Sequence, residues 1–598
     1  MLCISMKMPK KKKNITLLGC SIGNCVHIAG VANFFHLAET YGFKTILLGA
    51  AIEPHLLIEQ IEITVPDAVC ISYRLSPVNC RHVLENFQTI LRKSSFDGKL
   101  LFGGTQQTVA VAKELDMFDY YFIGEEPITK IIDVFEQLTG KRKTSENTLS
   151  VSSRPPIQEA VDNLPILNEQ GLQMPLLRHH FGLPSIDETI KGAREISQAE
   201  VLDVISIAPD QNSQQFFFHP EKRNPKLDGA GGVPIHKEKD LSDLNQASKC
   251  GNFPYLRIYS GTQDLLKWAE LSVRTIDNAW GTIPLCWYSE LDGRSSRPLL
   301  KALEENMSVI KWYAQLGKPV EINESHHWSL RNSPDVVAVA MAYIAAYTAK
   351  KLGVRQYFAQ YMLNNPSFTS IPHDLAKIGV ENILVKSLES NDFHVYRQLR
   401  AGLAHFSVDS QIAKGQLAVS TATMLNFNPH IVHIVSFTEG DHAALANEVI
   451  ESAKIVRGVI RNLAPGIPNA YDDSHIKQKA EKLLFDAQIL LSAVKMLGEK
   501  MESHDPLSDP KVIAQAIQAG IFDAPQLRGQ KCIPGDVKTL PKNGGCVAVD
   551  ASGKELDEYQ RLREPAKRLK LDFNKIKKIQ PFLGNLPLGT DKNLKFLS

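Results

Sequence analysis

The chain lacks the features that would place it in the membrane or on nucleic acid. None of its apolar runs reaches the roughly 20 residues needed to cross a bilayer, so we expect no membrane partner. Its charges nearly cancel, with a formal net charge of +2 over 598 residues. Bulk charge therefore favours neither nucleic acid nor an anionic lipid surface. The length exceeds what one hydrophobic core supports and predicts two or three domains.

Several metal and nucleotide motifs are also missing. The nine cysteines are scattered without paired metal-type spacing, which suits a reducing, cytoplasmic setting. No Cys-x-x-x-Cys-x-x-Cys triplet is present, and this disfavours a radical-SAM iron–sulfur cluster. The first strand–helix loop has no Gly-x-Gly-x-x-Gly, which disfavours a dinucleotide-binding domain.

What is present, in residues 1–140, is an alternation of short apolar runs with helical patterns. Five such β/α units with buried strands are typical of a parallel, doubly wound sheet. Ligands in these folds bind at the carboxyl ends of the strands. The five predicted strands are Asn14–Leu18, Lys44–Leu48, Ala68–Ser72, Lys99–Phe102 and Tyr120–Ile123.

The remainder of the chain predicts a second α/β domain. A polar stretch rich in Ser, Pro and Thr at 141–165 indicates a domain boundary, and we assign 141–250 to a linker and lead-in segment. From about 253 the alternation resumes, and a long series of such units predicts a (β/α)8 TIM barrel over 251–500. Residues 501–598 are expected to wrap the barrel. The candidate strands are Tyr255–Tyr259, Ile283–Tyr288, Val320–Asn323, Gln356–Met362, Asn382–Val385 and Ile431–Phe437.

The loop after the first predicted strand carries a candidate metal ligand. It contains Cys25-Val-His27-Ile-Ala-Gly30. A neutral imidazole is a good ligand for a mid-sized transition metal. At this position His27 would face the crevice above the sheet, and Gly30 would allow a bulky ligand to approach the backbone.

Two later loops extend this pattern into a resemblance. Ser72-Tyr-Arg-Leu75 follows the third predicted strand, and Gly103-Gly104 follows the fourth. With the first loop, residues 14–140 resemble the Rossmann-like (flavodoxin-like) B12-binding domain of cobalamin-dependent mutases and methyltransferases. The resemblance implies a cobalamin cofactor whose cobalt is bound by His27. The residues it implies at the cofactor are Ser21, Asn24, Cys25, His27, Gly30, Ser72, Leu75, Gly103 and Gly104.

One residue departs from the family pattern. Cys25 stands where the family has an aspartate that binds the other nitrogen of the histidine ring. Such partners fix the tautomer and basicity of a ligand, and a thiol is a weak acceptor. His27 would then be oriented by a backbone carbonyl or by Asn24. The alternative is a degenerate domain that no longer binds the cofactor.

Residues from about 255 to 555 resemble the catalytic barrel of glutamate mutase (methylaspartate mutase). The matching runs include Ser260-Gly-Thr-Gln-Asp264, Arg297-Pro-Leu-Leu300 and Ala519-Gly-Ile-Phe-Asp-Ala-Pro525. The resemblance implies adenosylcobalamin, a 1,2-rearrangement through a radical, a homodimer and a reactivating chaperone. Here the cofactor domain and the barrel would share one chain.

The substrate-binding positions differ from those of glutamate mutase. By resemblance, Arg294 keeps one carboxylate-clamp position, Tyr361 matches an active-site tyrosine, and Asp441 matches an acidic residue near the adenosyl ribose. The other two clamp arginines correspond to Tyr259 and Glu324. Glu324 could bind a cationic group instead, so a small polar molecule other than glutamate is the expected substrate.

Three functions therefore stay open. The first is an adenosylcobalamin-dependent mutase, with Arg294, Glu324 and Tyr361 as candidate catalytic residues. The second is a corrinoid methyltransferase that uses methylcobalamin. The third is a non-catalytic cobalamin-binding protein.

Overall fold

The computed structural model describes residues 15–139 and 154–576. The chain divides into two units, Met1–Ser153 and Arg154–Ser598. The expected boundary stretch at 141–165 overlaps this division, and its residues up to 153 lie outside the described part, as do Asn14 and the end of the C-terminal extension.

The first unit alternates strands and helices five times. Its elements are β1 (Thr16–Ile22), α1 (Ala29–Thr40), β2 (Lys44–Ile52), α2 (Pro54–Thr64), β3 (Ala68–Tyr73), α3 (Pro77–Leu91), β4 (Lys99–Gly104), α4 (Gln106–Glu114), β5 (Tyr120–Phe122) and α5 (Ile128–Thr139).

The five strands form one parallel sheet in the order β2-β1-β3-β4-β5. This is the flavodoxin-like order, and its topological switch point lies between β1 and β3. Every residue of β3 is buried, as expected for a central strand covered by helices on both faces. The doubly wound sheet predicted from the sequence is confirmed.

The second unit contains the remaining elements. They are α6 (Ile157–Asp162), β6 (Leu176–Phe181), α7 (Ile186–Gln198), β7 (Val204–Ile207), α8 (Gln211–Phe216), α9 (Glu238–Ser248), β8 (Tyr255–Ile258), α10 (Leu265–Ile276), β9 (Gly281–Ile283), α11 (Leu299–Gln315), β10 (Val320–Ile322), α12 (Ser325–Ser329), α13 (Asp335–Lys351), β11 (Gln356–Leu363), α14 (Ile371–Lys386), β12 (His394–Ala401), α15 (Ser410–Leu425), β13 (Ile431–Ile434), α16 (Ala446–Leu463), α17 (Ser474–Lys500), α18 (Pro510–Ala519), β14 (Lys538–Lys542), β15 (Gly545–Val549), α19 (Glu558–Arg561), α20 (Arg563–Arg568) and α21 (Phe573–Ile576). Short 3₁₀ turns lie at Pro220–Lys222, Pro225–Leu227, Leu403–His405, Ala470–Asp472 and Pro525–Leu527.

Strands β6 to β13 form a parallel sheet in the order β8-β7-β6-β13-β12-β11-β10-β9. A helix follows each strand, and this is the pattern of a (β/α)8 barrel. The sheet is nearly closed, because the Ala279 amide beside β9 donates to the Leu256 carbonyl of β8 at 2.9 Å. The predicted TIM barrel is confirmed.

An apolar cluster fills the amino-terminal end of the barrel. Trp280, Phe358 and Tyr396 pack there with Ile157 and Val161 of α6. Helix α6 therefore packs against this end of the barrel and covers its floor.

The barrel differs from the sequence prediction in two places. Strands β6 and β7 lie in the stretch assigned to the lead-in segment, so the barrel begins at Leu176 rather than near 251. The predicted strand Asn382–Val385 belongs to helix α14, and the seventh strand is β12. Inward-facing polar residues obscure β6 and β12 as strands, whereas α14 is buried along nearly its whole length and so resembles a buried strand.

The C-terminal extension contacts the helix layer through the hairpin β14–β15, which is antiparallel. The Cys546 amide donates to Asp335 Oδ2 at 2.6 Å, at the start of α13, and the Ser370 amide donates to the Gly544 carbonyl. Among the described residues, no helix combines the length and the apolar character that crossing a membrane requires.

Candidate functional site

A cavity of about 550 Å³ opens at the carboxyl edge of the first sheet. It lies between the ends of β3, β4 and β5, the loop after β1 and the helices α1 and α5, beside the switch point where doubly wound folds bind ligands. Its walls are mainly apolar, with Phe34, Leu37 and Ile131 on the helices. Five of the predicted cofactor residues line it: His27, Gly30, Ser72, Gly103 and Gly104.

His27 lies in the loop between β1 and α1, and its side chain is exposed. The Ser72 hydroxyl donates to the His27 carbonyl at 3.1 Å, which ties this loop to β3. Cys25 Sγ lies 3.7 Å from His27 Nδ1. An Nδ1–H donated to this sulfur would leave the Nε2 lone pair free for a metal.

Three predicted cofactor residues do not line the cavity but fix the loop. Ser21 Oγ donates to the Cys25 carbonyl at 2.6 Å, and the Arg74 amide donates to Cys25 Sγ at 3.3 Å. Asn24 Oδ1 accepts from the Tyr73 hydroxyl at 2.9 Å. Asn24 Oδ1 is thus bonded to the end of β3 rather than to His27, and the Ser21 hydroxyl is bonded within the loop rather than placed in the cavity.

Leu75 also lies away from the cavity. Its side chain is half-buried and packs with the apolar cluster on the other face of the sheet. Ser72 lies on the cavity face of β3, whereas Leu75 lies in the turn between the end of β3 and the start of α3.

The glycines separate into two groups. A Cβ on Gly30 or Gly103 would meet no atom within 4 Å, so both positions border open space. A Cβ on Gly104 would meet Thr108 Oγ1 and would lie 2.8 Å from the Tyr73 carbonyl. Gly103 therefore leaves room for a bound group, whereas Gly104 is required by packing between β4, β3 and α4. The cavity, the exposed imidazole and the open glycines fit a large planar cofactor such as a corrinoid.

The interior of the barrel is polar above its apolar floor. Arg178 of β6 and Arg257 of β8 are fully buried and share the carboxylate of Glu321, at 3.1 and 3.3 Å. Trp280 Nε1 donates to the same carboxylate at 2.7 Å. Burial alone would raise the pKa of Glu321, but Arg257 and Arg178 outweigh it and lower this pKa to about 2. Burial and Arg257 lower the pKa of Arg178 to about 9, so its guanidinium stays protonated at neutral pH.

A directed chain of hydrogen bonds runs above this ion pair. Gln360 Oε1 already accepts from Gln398 Nε2, so His433 Nδ1, 3.1 Å away, is a donor to it. His433 Nε2 must then accept from His180 Nδ1 at 3.3 Å. His180 Nε2 in turn accepts from the Tyr259 hydroxyl at 2.6 Å. Each imidazole is thus held neutral in one tautomer.

Glu324 is saturated by protein donors. Its carboxylate accepts from the amides of Leu285 and Cys286, each at 3.2 Å, and from Trp328 Nε1 at 3.0 Å. Burial raises the pKa of Glu324 to about 7. The predicted role as a binder of a cationic group is not supported by these contacts, because the carboxylate anchors the loop that follows β9.

Tyr361 faces the helix layer rather than the barrel interior. Its neighbour Gln360 points inward to Asn323 and His433, and residues alternate along a strand. Burial and Glu381 of α14 raise the pKa of Tyr361 well above its usual value. The structure therefore removes Tyr361 from the predicted catalytic set.

Arg294 and Asp441 lie on exposed loops of the barrel unit. The Arg294 guanidinium stacks over the Tyr288 ring at 5.0 Å and lies 3.9 Å from Asp292. Asp441, on the loop after β13, pairs with His442 Nδ1 at 2.9 Å. Neither side chain joins the buried network of the barrel, and no described group of three or more His, Cys, Asp or Glu residues is arranged to hold a metal ion.

Sequence reasoning missed most of the polar barrel interior. A signal was present, since Arg178 and His180 stand two positions apart in Leu177-Arg-His-His-Phe181 and Arg257 lies within the otherwise apolar Tyr255-Leu-Arg-Ile258. Residues at every second position of a strand share one face. The interior residues missed are Arg178, His180, Arg257, Glu321, Gln398, Arg400 and His433.

Comparisons with known proteins do not assign a family. No family model matches the chain, and no curated protein matches it significantly. A cobalamin-binding protein from Desulfitobacterium hafniense DCB-2 is 20% identical with a TM-score of 0.18, over 21% of this chain. The match spans 60% of that protein, less than two thirds of its length.

Two further solved structures are similarly distant. The signal receiver domain of the response regulator NarL from Mycobacterium tuberculosis is 14% identical over 22% of this chain and 99% of its own, with a TM-score of 0.16. The cobalamin-dependent S-adenosylmethionine radical enzyme OxsB is 10% identical over 84% of this chain and 70% of its own, with a TM-score of 0.18. Scores this low establish neither a shared fold nor a shared function.

Proposed function

We propose that the first unit binds a corrinoid and that His27 would hold its cobalt. The observation that carries the proposal is the cavity at the switch point of the sheet, where an exposed imidazole stands beside glycines that border open space. His27 would bind the metal through Nε2, Ser72 would hold the loop, and Gly30 and Gly103 would admit the ring and its tail.

We further propose that the whole chain is an adenosylcobalamin-dependent mutase acting on a small polar molecule other than glutamate. When bound, this cofactor supplies an organic radical by homolysis of its cobalt–carbon bond. A radical must be shielded from water. The barrel supports this function because its floor is packed with aromatic residues and Glu321 bonds to Arg178 and Trp280 in its polar interior.

A corrinoid methyltransferase and a non-catalytic binding protein are the competing functions. The Cys25 thiol beside His27 favours weaker ligation than a carboxylate would give, and this is the observation behind the non-catalytic alternative. A homodimer and a reactivating chaperone remain expectations from the resemblance.

The test mixes the full-length protein with adenosylcobalamin and, separately, with methylcobalamin. Retention of adenosylcobalamin through gel filtration, followed by a Co(II)–radical signal when substrate candidates are added, supports the mutase. Retention of methylcobalamin with loss of its methyl group to an acceptor supports the methyltransferase. Failure to retain either corrinoid contradicts all three functions.

A further inference from the structure

Arg400 is a buried cation without an anionic partner. It lies at the carboxyl end of β12, and it faces inward because Tyr396 and Gln398, at alternate positions of the same strand, both do. Only 7% of its surface is exposed. Its Nε donates to the Ala401 carbonyl at 3.3 Å. Neither terminal nitrogen bonds to any residue that the structure describes, and no described carboxylate lies within 4 Å of it.

The carboxylates in this part of the barrel are bonded to groups other than Arg400. Glu321 is bonded to Arg178 and Arg257 and forms no ion pair with Arg400 among the described residues. Glu439 acts on Arg400 electrostatically, but its carboxylate is bound by His179 Nε2 at 2.9 Å and by the Ser436 amide at 3.1 Å. A buried charge without a partner is costly, so a site that keeps one is expected to bind a counter-ion.

Histidines around Arg400 contribute polarity rather than charge. Burial lowers the pKa of His326 to about 3 and the pKa values of His180, His327 and His433 well below their usual range, and in each case Arg400 adds to the effect. Neutral imidazoles can bond to a ligand without repelling or neutralising an anion. Arg400 therefore supplies the net attraction at this end of the barrel.

We propose that Arg400 binds a carboxylate group of the substrate at the carboxyl-end mouth of the barrel. This inference rests on the proposed function, because it names the bound molecule as the substrate. Binding of a carboxylate to Arg400 can nevertheless be measured independently of that function. The mouth is where TIM-barrel enzymes hold their substrates. The planar fork of a guanidinium matches the two oxygens of a carboxylate.

The charge balance favours a carboxylate over a phosphate. Three arginines, Arg178, Arg257 and Arg400, stand against two carboxylates, Glu321 and Glu439, in this interior, and one further carboxylate neutralises the remaining positive charge. A phosphate dianion would leave a surplus negative charge beside Glu321 and Glu439. The two nitrogens of Arg257 that lack partners, Nε and Nη1, are fully buried and add polarity to the same interior.

Ligand-observed saturation-transfer NMR on the full-length protein tests this proposal, with propionate as the probe and propionamide as its neutral counterpart. We expect saturable binding of propionate, none of propionamide, and a dissociation constant at least about tenfold higher in Arg400→Gln. Arg400→Lys keeps the charge without the fork and should give an intermediate value.

Arg397→Gln is the matched control. Arg397 lies on the same strand, faces the other way and donates to the Asn428 carbonyl, so its loss should leave propionate binding unchanged. Unaltered propionate binding in a folded Arg400→Gln protein would overturn the proposal, as would no saturable binding in the wild type or displacement by phosphate at lower concentration. Corrinoid retention is measured in the same samples: propionate binding without corrinoid retention would reject the proposed function and keep this inference, and the reverse result would do the opposite.

Discussion

At the scale of single residues, small differences decide which side chains serve the cavity. Gly103 and Gly104 are adjacent in the chain, yet only Gly103 borders open space. Ser21, Asn24 and Cys25 lie close to the candidate ligand in sequence, yet none of them lines the cavity, and their polar atoms bond within the loop or to residues at the end of β3. Proximity in sequence to His27 is therefore a poor guide to which side chains line the cavity.

The two glycines should respond oppositely to substitution. Gly103→Leu should place its side chain in the cavity and reduce corrinoid retention, with little change in the free energy of unfolding. Gly104→Ala should cost about 1–3 kcal/mol, because its Cβ would be crowded by the Tyr73 carbonyl and the Thr108 side chain. Denaturant unfolding and corrinoid titration of both variants measure this, and equal effects on stability would contradict the assignment.

Removal of the shared carboxylate should destabilise the barrel strongly. Glu321→Gln leaves Arg178 and Arg257 buried without their anion, and such a loss costs about 3–5 kcal/mol at neutral pH. Denaturant unfolding at pH 7 measures the difference from wild type. A loss below about 1 kcal/mol would show that the two arginines are solvated in solution.

Because of the same carboxylate, we expect the free energy of unfolding to decrease at acidic pH. The pKa of Glu321 is about 2 in the folded chain and near its ordinary value of about 4.3 when unfolded. A depressed pKa adds stability above the unfolded value, and that stability is lost as the pH falls from about 4.5 towards 2. Denaturant midpoints measured across this window should fall less steeply in Glu321→Gln than in wild type, and parallel curves would refute the coupling.

At the scale of elements, the sequence predicted strands well where a short apolar run was a sufficient signal. The five strands of the first sheet are mostly apolar, and the sequence predicted their positions to within a few residues. In the barrel, Arg178, Gln398 and Arg400 interrupt β6 and β12 on the inward face, which hides these strands from a search for apolar runs. The pairing of side chains across the barrel, such as Glu321 with two distant arginines, depends on how the sheet closes into a barrel. Such pairing leaves no signal in the local sequence.

The hairpin β14–β15 is expected to depend on Asp335. This carboxylate accepts from the Cys546 amide, from His373 Nε2 at 2.9 Å and from Lys377 Nζ at 3.2 Å. Asp335→Ala should cost about 3–5 kcal/mol and expose the hairpin to amide exchange. Asp550→Ala, which alters only the exposed turn after β15, is the control, and unchanged exchange at residues 538–549 in Asp335→Ala would contradict this role.

At the scale of the whole molecule, the described residues form two units with separate apolar cores. Calorimetry of the full chain should therefore show two unfolding transitions. A ligand that binds only the folded first unit should raise only that transition, by about 2.7 kcal/mol at one hundred times its dissociation constant. A corrinoid that shifts both transitions equally, or neither, would contradict binding within the first unit.

Cobalt ligation by His27 is the central claim, and electron paramagnetic resonance of bound cob(II)alamin tests it most directly. The protein is prepared with ¹⁵N-histidine, so that a histidine ligand splits each cobalt line into two, whereas the ¹⁴N of the cofactor's own base splits it into three. We predict the two-line pattern in the wild type, and its loss in His27→Ala. A three-line pattern in the labelled wild-type protein would contradict ligation by His27.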